Sequence, residues 1–126
     1  MKSICLILFS LLLSGCAGLP KGIEPVTNFK LDRYLGDWYE IARLDHRFER
    51  GLEQVTANYS MNDDGTVRVV NRGFSTQKEQ WQDAIGKARF VGDSDVGHLE
   101  VSFFGPFYVS YVIFELDKDN YQYAFI

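Results

Sequence analysis

The chain is 126 residues long, 46% hydrophobic and 15% aromatic, which leaves room for one domain with a single core. Thirteen basic residues against seventeen acidic ones give a formal charge of −4, a balance that argues against nucleic acid and against a basic membrane-surface patch. The two cysteines, Cys5 and Cys16, both lie near the start, so the rest of the chain has no disulfide framework, redox motif or thiolate metal site.

In chain order, Met1-Lys2-Ser3 is a positive start, Ile4 to Leu13 is an apolar run of about ten residues, and Leu13-Ser14-Gly15-Cys16 follows. This apolar run is too short to span a bilayer, which takes roughly 20 helical residues. Residues 1–15 therefore read as a secretory signal, cut in the plain version at the small pair Ser14-Gly15. Leu13-Ser14-Gly15-Cys16 resembles a bacterial lipobox more closely. That resemblance implies cleavage before Cys16, a diacylglycerol on its sulfur and acylation of the new amino group. One acyl chain anchors marginally and two anchor stably, so Cys16 is expected to hold the mature protein at a membrane. Ala17, in place of an aspartate, resembles the outer-membrane sorting pattern. Loss of 1–15 subtracts only Lys2, so 12 bases face 17 acids, a formal charge of −5.

Residues 16–27 contain Gly18, Pro20, Gly22 and Pro25 without periodicity, and are expected to form the lipidated N-terminus and a tether. A single helical or 3₁₀ turn is expected over 28–35, capped by Thr27 or Asn28 and offering Phe29, Leu31, Tyr34 and Leu35 as apolar contacts. From Trp38 onward, turn signals recur at roughly ten-residue intervals. The predicted strands are 38–45, 55–61, 67–74, 81–91, 99–104, 109–116 and 121–126. Asn62-Asp63-Asp64-Gly65 and Asp117-Lys118-Asp119-Asn120 are hairpin turns, and 92–97 is a longer polar one. Consecutive hairpins predict an all-β, up-and-down antiparallel meander, and closing it into a barrel removes the exposed edges. Asp45 to Gln54 is too charged for a strand and too long for a tight turn, so it is expected to arch over one barrel end.

Leu35-Gly36-Asp37-Trp38-Tyr39-Glu40-Ile41-Ala42-Arg43 resembles the glycine-x-tryptophan block that begins the first lipocalin strand. Asn28-Phe29, Arg33 to Arg43, Asp45 to Leu52 and Val101-Ser102-Phe103-Phe104-Gly105-Pro106-Phe107-Tyr108 resemble blocks of the bacterial outer-membrane lipoprotein lipocalins. The resemblance covers the whole chain after the tether. It implies a cup for apolar small molecules, a short helix plugging the base, the largest loop at the open mouth, and binding rather than catalysis. It also implies eight strands followed by a helix on the outer wall. The chain stops at Ile126 within an apolar strand, so residues 28–126 are expected to form an incomplete barrel. About seven of the eight strands are expected, without the last strand or the C-terminal helix, as a fragment or a truncated product. Eight strands are the fewest that enclose one ligand. Binding is thus assigned to the full-length protein, and residues 1–126 alone are expected to aggregate or to lack stable binding.

Alternation along the strands assigns the cavity lining. With Trp38 as an inward floor residue, Glu40 and Ala42 share its side. The second strand offers Val55, Ala57 and Tyr59, the third Val67, Val69 and Asn71, and the fourth Gly86, Ala88 and Phe90. The fifth contributes Leu99, Val101 and Phe103, and the sixth Tyr111 and Ile113. Val112, Phe114 and Leu116 form a second apolar face on the sixth strand. Such a lining suits either a solid core or a small-molecule site, and the small residues Ala57, Gly86 and Ala88 favour a cavity. The expected ligand is a fatty acid or lysophospholipid, whose tail gains about 0.8 kcal/mol per buried CH₂. Arg47 and Arg50 are candidate head-group contacts, with Phe48, Phe107 and Tyr108 on the rim. Arg43 is expected to sit over Trp38 or bond to the barrel base.

Catalysis has little to build on. His46 and His98 lack partners at metal-ligand spacing, Ser102 and Ser110 lack a nucleophile elbow, and Asp63-Asp64-Gly65 lacks the further ligands of a calcium loop. No cofactor or metal is expected. The expected role is lipid storage or transport in the cell envelope by a membrane-anchored protein. The alternative is a structural or protein-interaction lipoprotein with a filled barrel. A homodimer is left open.

Overall fold

The computed structural model describes residues 18–47 and 49–126, so the signal segment, Cys16 and the rim candidate Phe48 lie outside the described residues. A short helix, α1 (Leu31–Tyr34), leads into β1 (Gly36–Tyr39), β2 (Leu52–Met61), β3 (Val67–Ser75), β4 (Gln80–Phe90), β5 (His98–Phe104) and β6 (Phe107–Val112). Two short strands, β7 (Glu115–Leu116) and β8 (Ala124–Phe125), follow. β1 to β6 form one sheet in sequence order with every neighbour antiparallel, the up-and-down meander that the turn spacing predicts. β7 and β8 form a separate two-stranded ladder. The large sheet curls until the Tyr111 hydroxyl on β6 meets the Tyr59 hydroxyl on β2 at 2.8 Å.

Local chemistry sets the turns. Gly36 sits at φ +108°, a conformation that side chains forbid, and this lets the chain swing directly from α1 into β1. Between β2 and β3, Asn62 N–H donates to the Thr66 carbonyl at 2.8 Å, and Asp64 accepts from Thr66 N–H at 3.0 Å. The Thr66 hydroxyl bond and this backbone bond lower the Asp64 pKa.

Register keeps one face inward across the sheet. Trp38 pairs with Ala57 and Ala57 with Asn71; Tyr59 pairs with Val69, and Val69 with Gly86. Val67 pairs with Ala88, Ala88 with Val101, and Leu99 with Tyr111. The core gathers Phe29, Tyr34, Tyr59, Val67, Val69, Ala88, Leu99, Val101 and the fully buried Ile113, with Trp38, Ala57, Phe90 and Tyr111 packed against them.

Three boundaries differ from expectation. β1 ends at Tyr39 rather than at residue 45, because Arg43 draws the chain into the loop; Ala42 is therefore exposed and off the sheet, and is removed from the lining. β6 ends at Val112. Val26 there donates its N–H to the Ile113 carbonyl at 2.8 Å, and Phe114 N–H turns to the Phe125 carbonyl at 3.0 Å. This break shifts the alternation by one, so Leu116, expected on the opposite face, joins the core. The last predicted strand, 121–126, is extended in the ladder only over Ala124–Phe125.

The N-terminal segment does not hang free from residue 18 onward. Gly97 N–H donates to the Val26 carbonyl and the Ser110 hydroxyl to the Gly18 carbonyl, both at 2.8 Å, so the segment lies along the outside of β6.

Candidate functional site

The two ends of the barrel differ in kind. At one end lie α1 and the turns 62–66, 91–97 and 117–120; at the other lie the 40–51 loop, the 76–79 turn and the Gly105-Pro106 turn.

α1 closes the first end. Trp38 Nε1–H donates to the Tyr34 carbonyl at 2.8 Å, and the two rings stack 4.6 Å apart. Phe29 meets Tyr34 edge-on at 5.3 Å and Phe90 at 6.1 Å. The Tyr111 hydroxyl joins those of Tyr34 and Tyr59, each at 2.8 Å, so three phenols form a chain across the interior with Tyr111 at its centre. Burial pushes all three pKa values above that of an ordinary phenol. These hydroxyls satisfy one another, which lets polar groups sit in an apolar floor. From outside, Arg33 stacks on the buried Tyr121 ring at 4.3 Å and donates to the Lys118 and Asp119 carbonyls at 3.0 and 2.8 Å, tying the 117–121 turn to α1.

Above the floor, Val55, Gly73, Ser75 and Gly86 are buried inward positions. Gly73 and Ser75 continue the Val67, Val69, Asn71 alternation; Gly73 falls within the predicted third strand yet outside the assigned lining, and Ser75 falls one residue beyond that strand. Gly86 is small for a different reason than expected. A Cβ there would lie 2.8 Å from both the Phe103 ring and the Ser102 carbonyl, so the Phe103 ring already lies across this position. Phe103 and Val109 belong to the inward face yet are 41% and 54% exposed, so the interior opens toward the second end.

The 40–51 loop hangs over that opening. Arg43 donates to the Glu40 carboxylate, to the Glu49 carbonyl at 2.7 Å and to the Leu52 carbonyl at 3.0 Å. This corrects the expected place of Arg43 over Trp38: the guanidinium spans both feet of the loop instead, and its bond to Glu40 raises its pKa. Arg47 and Arg50 are exposed on the same loop, and Arg50 pairs with Asp45 at 3.0 Å. Phe107 is at the opening, whereas Tyr108 lies under the Arg89 guanidinium at 4.0 Å on the outer wall and does not form the rim. Among the described residues no group of three or more His, Cys, Asp or Glu could hold a metal ion.

A curled antiparallel meander with a helix-plugged base, a Gly-x-Trp entry and an apolar interior open at one end defines the class. The lipocalin-like domain family matches residues 29–126, and the chain belongs to the lipocalin family, whose members generally bind or transport rather than catalyse. Within it, the similar proteins are bacterial outer membrane lipoproteins called Blc. That of Vibrio cholerae serotype O1 is 60% identical over 126 residues, all of this chain and 74% of the relative. That of Citrobacter freundii is 54% identical over 107 residues, 85% of this chain, and this chain covers 60% of the relative's length. The crystal structure of the cockroach major allergen Per a 4 is similar in fold alone, with a TM-score of 0.58 and 15% identity over 82% of this chain and 59% of the allergen. The chain is thus a lipocalin lipoprotein of the outer membrane, held there by lipid.

Proposed function

We propose that the full protein binds one single-chain lipid, a fatty acid or lysophospholipid, with the tail inside the barrel above the tyrosine floor. The observation that carries this reading is the pair Phe103 and Val109, apolar and inward-facing yet left 41% and 54% exposed by the described residues. An acyl chain there removes about 25 cal/mol of unfavourable exposure per Å² of apolar surface covered. Val55 and Phe103 contact the tail; Tyr59, Val67, Val69, Ala88, Leu99, Val101 and Ile113 are its packed base rather than its walls. Cys16 carries the acyl anchor. Arg47 and Arg50 meet the head group, since an exposed pair such as Arg50–Asp45 contributes at most about 1 kcal/mol and opens readily.

The Phe103 ring over Gly86 also favours a second reading, a barrel whose filled interior serves only as a core for an envelope interaction module. Displacement of a fluorescent fatty acid from protein extracted from bacterial membranes separates the two. Saturable, displaceable binding is expected, and replacing both arginines by Ala should weaken an anionic lipid about tenfold while sparing its neutral analogue. Absence of displaceable binding favours the filled module, and equal loss for both lipids removes the arginines from the head-group role.

A further inference from the structure

The open end of the barrel carries exposed apolar side chains on two separate loops. Ile41 and Leu44 on the 40–51 loop are 93% and 92% exposed, and Phe104 and Phe107 beside the Gly105-Pro106 turn are 80% and 71% exposed. Gly105 at φ +57° makes that turn tight enough to present both phenylalanines at its tip. A soluble rim has no reason to hold four such residues in water; clusters of this kind mark contact sites. The closed end differs in charge. Its three turns contain Asp63, Asp64, Asp93, Asp95, Asp117 and Asp119 against Lys118, and with Asp32 and Arg33 on α1 and Lys87 paired to Asp64 at 3.4 Å the acids stay in excess. An anionic lipid surface repels that end and leaves the apolar end as the one that can enter the interface.

The anchor limits the distance. Gly18 is fixed beside Ser110 on the outside of β6, three residues, or about 10 Å, below Phe107. Cys16 is two residues before Gly18 and cannot lie more than about 8 Å from it along the chain. The membrane holding the acyl chains is therefore within reach of the phenylalanine rim without any long linker.

We propose that the barrel sits mouth-down on the membrane that anchors it, with Ile41, Leu44, Phe104 and Phe107 dipped into the lipid interface and the acidic closed end facing away. Cargo then passes between bilayer and barrel without crossing water. This orientation rests on the reading of Cys16 as the lipidated residue.

Once Cys5 is cleaved and Cys16 acylated, residues 16–126 hold no free thiol, so an environment-sensitive fluorophore can be placed on one added cysteine there. Lipidated protein labelled at Phe104→Cys, at Ile41→Cys or at Asp63→Cys is reconstituted into vesicles of phosphatidylethanolamine and phosphatidylglycerol. All three sites are exposed, so the substitutions leave the core intact. The labels at 104 and 41 should shift their emission to the blue while the label at 63 does not. If the protein floats with the vesicles and the labels at 104 and 41 remain in water, or the label at 63 shifts instead, the orientation is wrong and the anchor stands. If mass spectrometry finds Cys16 without acyl chains, the anchor reading fails and this inference fails with it.

Discussion

At the residue scale, the tyrosine floor couples fold to pH. Tyr111 shares one hydroxyl between two partners, Tyr34 and Tyr59, in a part-buried setting. Tyr111→Phe leaves both partners short of a bond and should lower stability by about 2 kcal/mol. The sign of the pH effect follows from burial, which raises the folded pKa of all three phenols. Below the unfolded value of about 10, both states keep their protons and nothing is lost. Above it the unfolded chain releases protons that the folded chain still holds, so stability falls by up to about 1.4 kcal/mol per pH unit for each tyrosine. Urea midpoints followed from about pH 8 to about pH 11 should be flat and then drop, and Tyr111→Phe should drop less steeply. Equal slopes for the two proteins would show that Tyr111 does not titrate with folding.

At the element scale, Arg43 decides where β1 stops and the mouth loop begins. Its bonds to Glu40, Glu49 and Leu52 clamp the loop at both ends, so that a twelve-residue charged segment holds a shape over the opening. In Arg43→Ala, amide hydrogen exchange across residues 40–52 should quicken by roughly tenfold, the equivalent of about 1.4 kcal/mol of local stability, while β3 to β5 stay as protected as before. Unchanged exchange in the loop would mean that the clamp has no role. This contact was hidden in the sequence because Arg43 sits within the Gly36-Asp37-Trp38 block, and alternation carried the strand past it. The regular strands were legible for the opposite reason. Over Val67–Val69, Ala88, and Leu99–Val101 the two-residue period runs unbroken, so burial follows from spacing alone. Ile113 still follows that period, but the backbone bond that breaks the strand there comes from Val26, nearly ninety positions away, and no local pattern records the shift that brings Leu116 inward. The same holds for Gly86 and Phe103, which pack across neighbouring strands.

At the scale of the whole molecule, one axis organises everything described: an acidic, helix-plugged end, a phenol-bonded floor, and an apolar interior widening to an apolar rim. The class of fold was legible in turn spacing and in the Gly-x-Trp block, since both are local. Whether the interior is core or cup was not, because the same aliphatic and aromatic residues serve either purpose; exposure of Phe103 and Val109 is what separates the halves. A shallow groove lined by Tyr39, Glu40, Gln54, Thr56, Arg72 and Trp81, and reaching Val55, is the competing place for an apolar chain. A fatty acid carrying a photoactivated diazirine on its tail, cross-linked to the membrane-extracted protein and mapped by peptide mass spectrometry, distinguishes them directly. Saturable labelling at Phe103 and Val109 that unlabelled fatty acid competes away is the expected result; labelling confined to Tyr39, Val55 and Trp81, or labelling that does not saturate, would overturn the interior site.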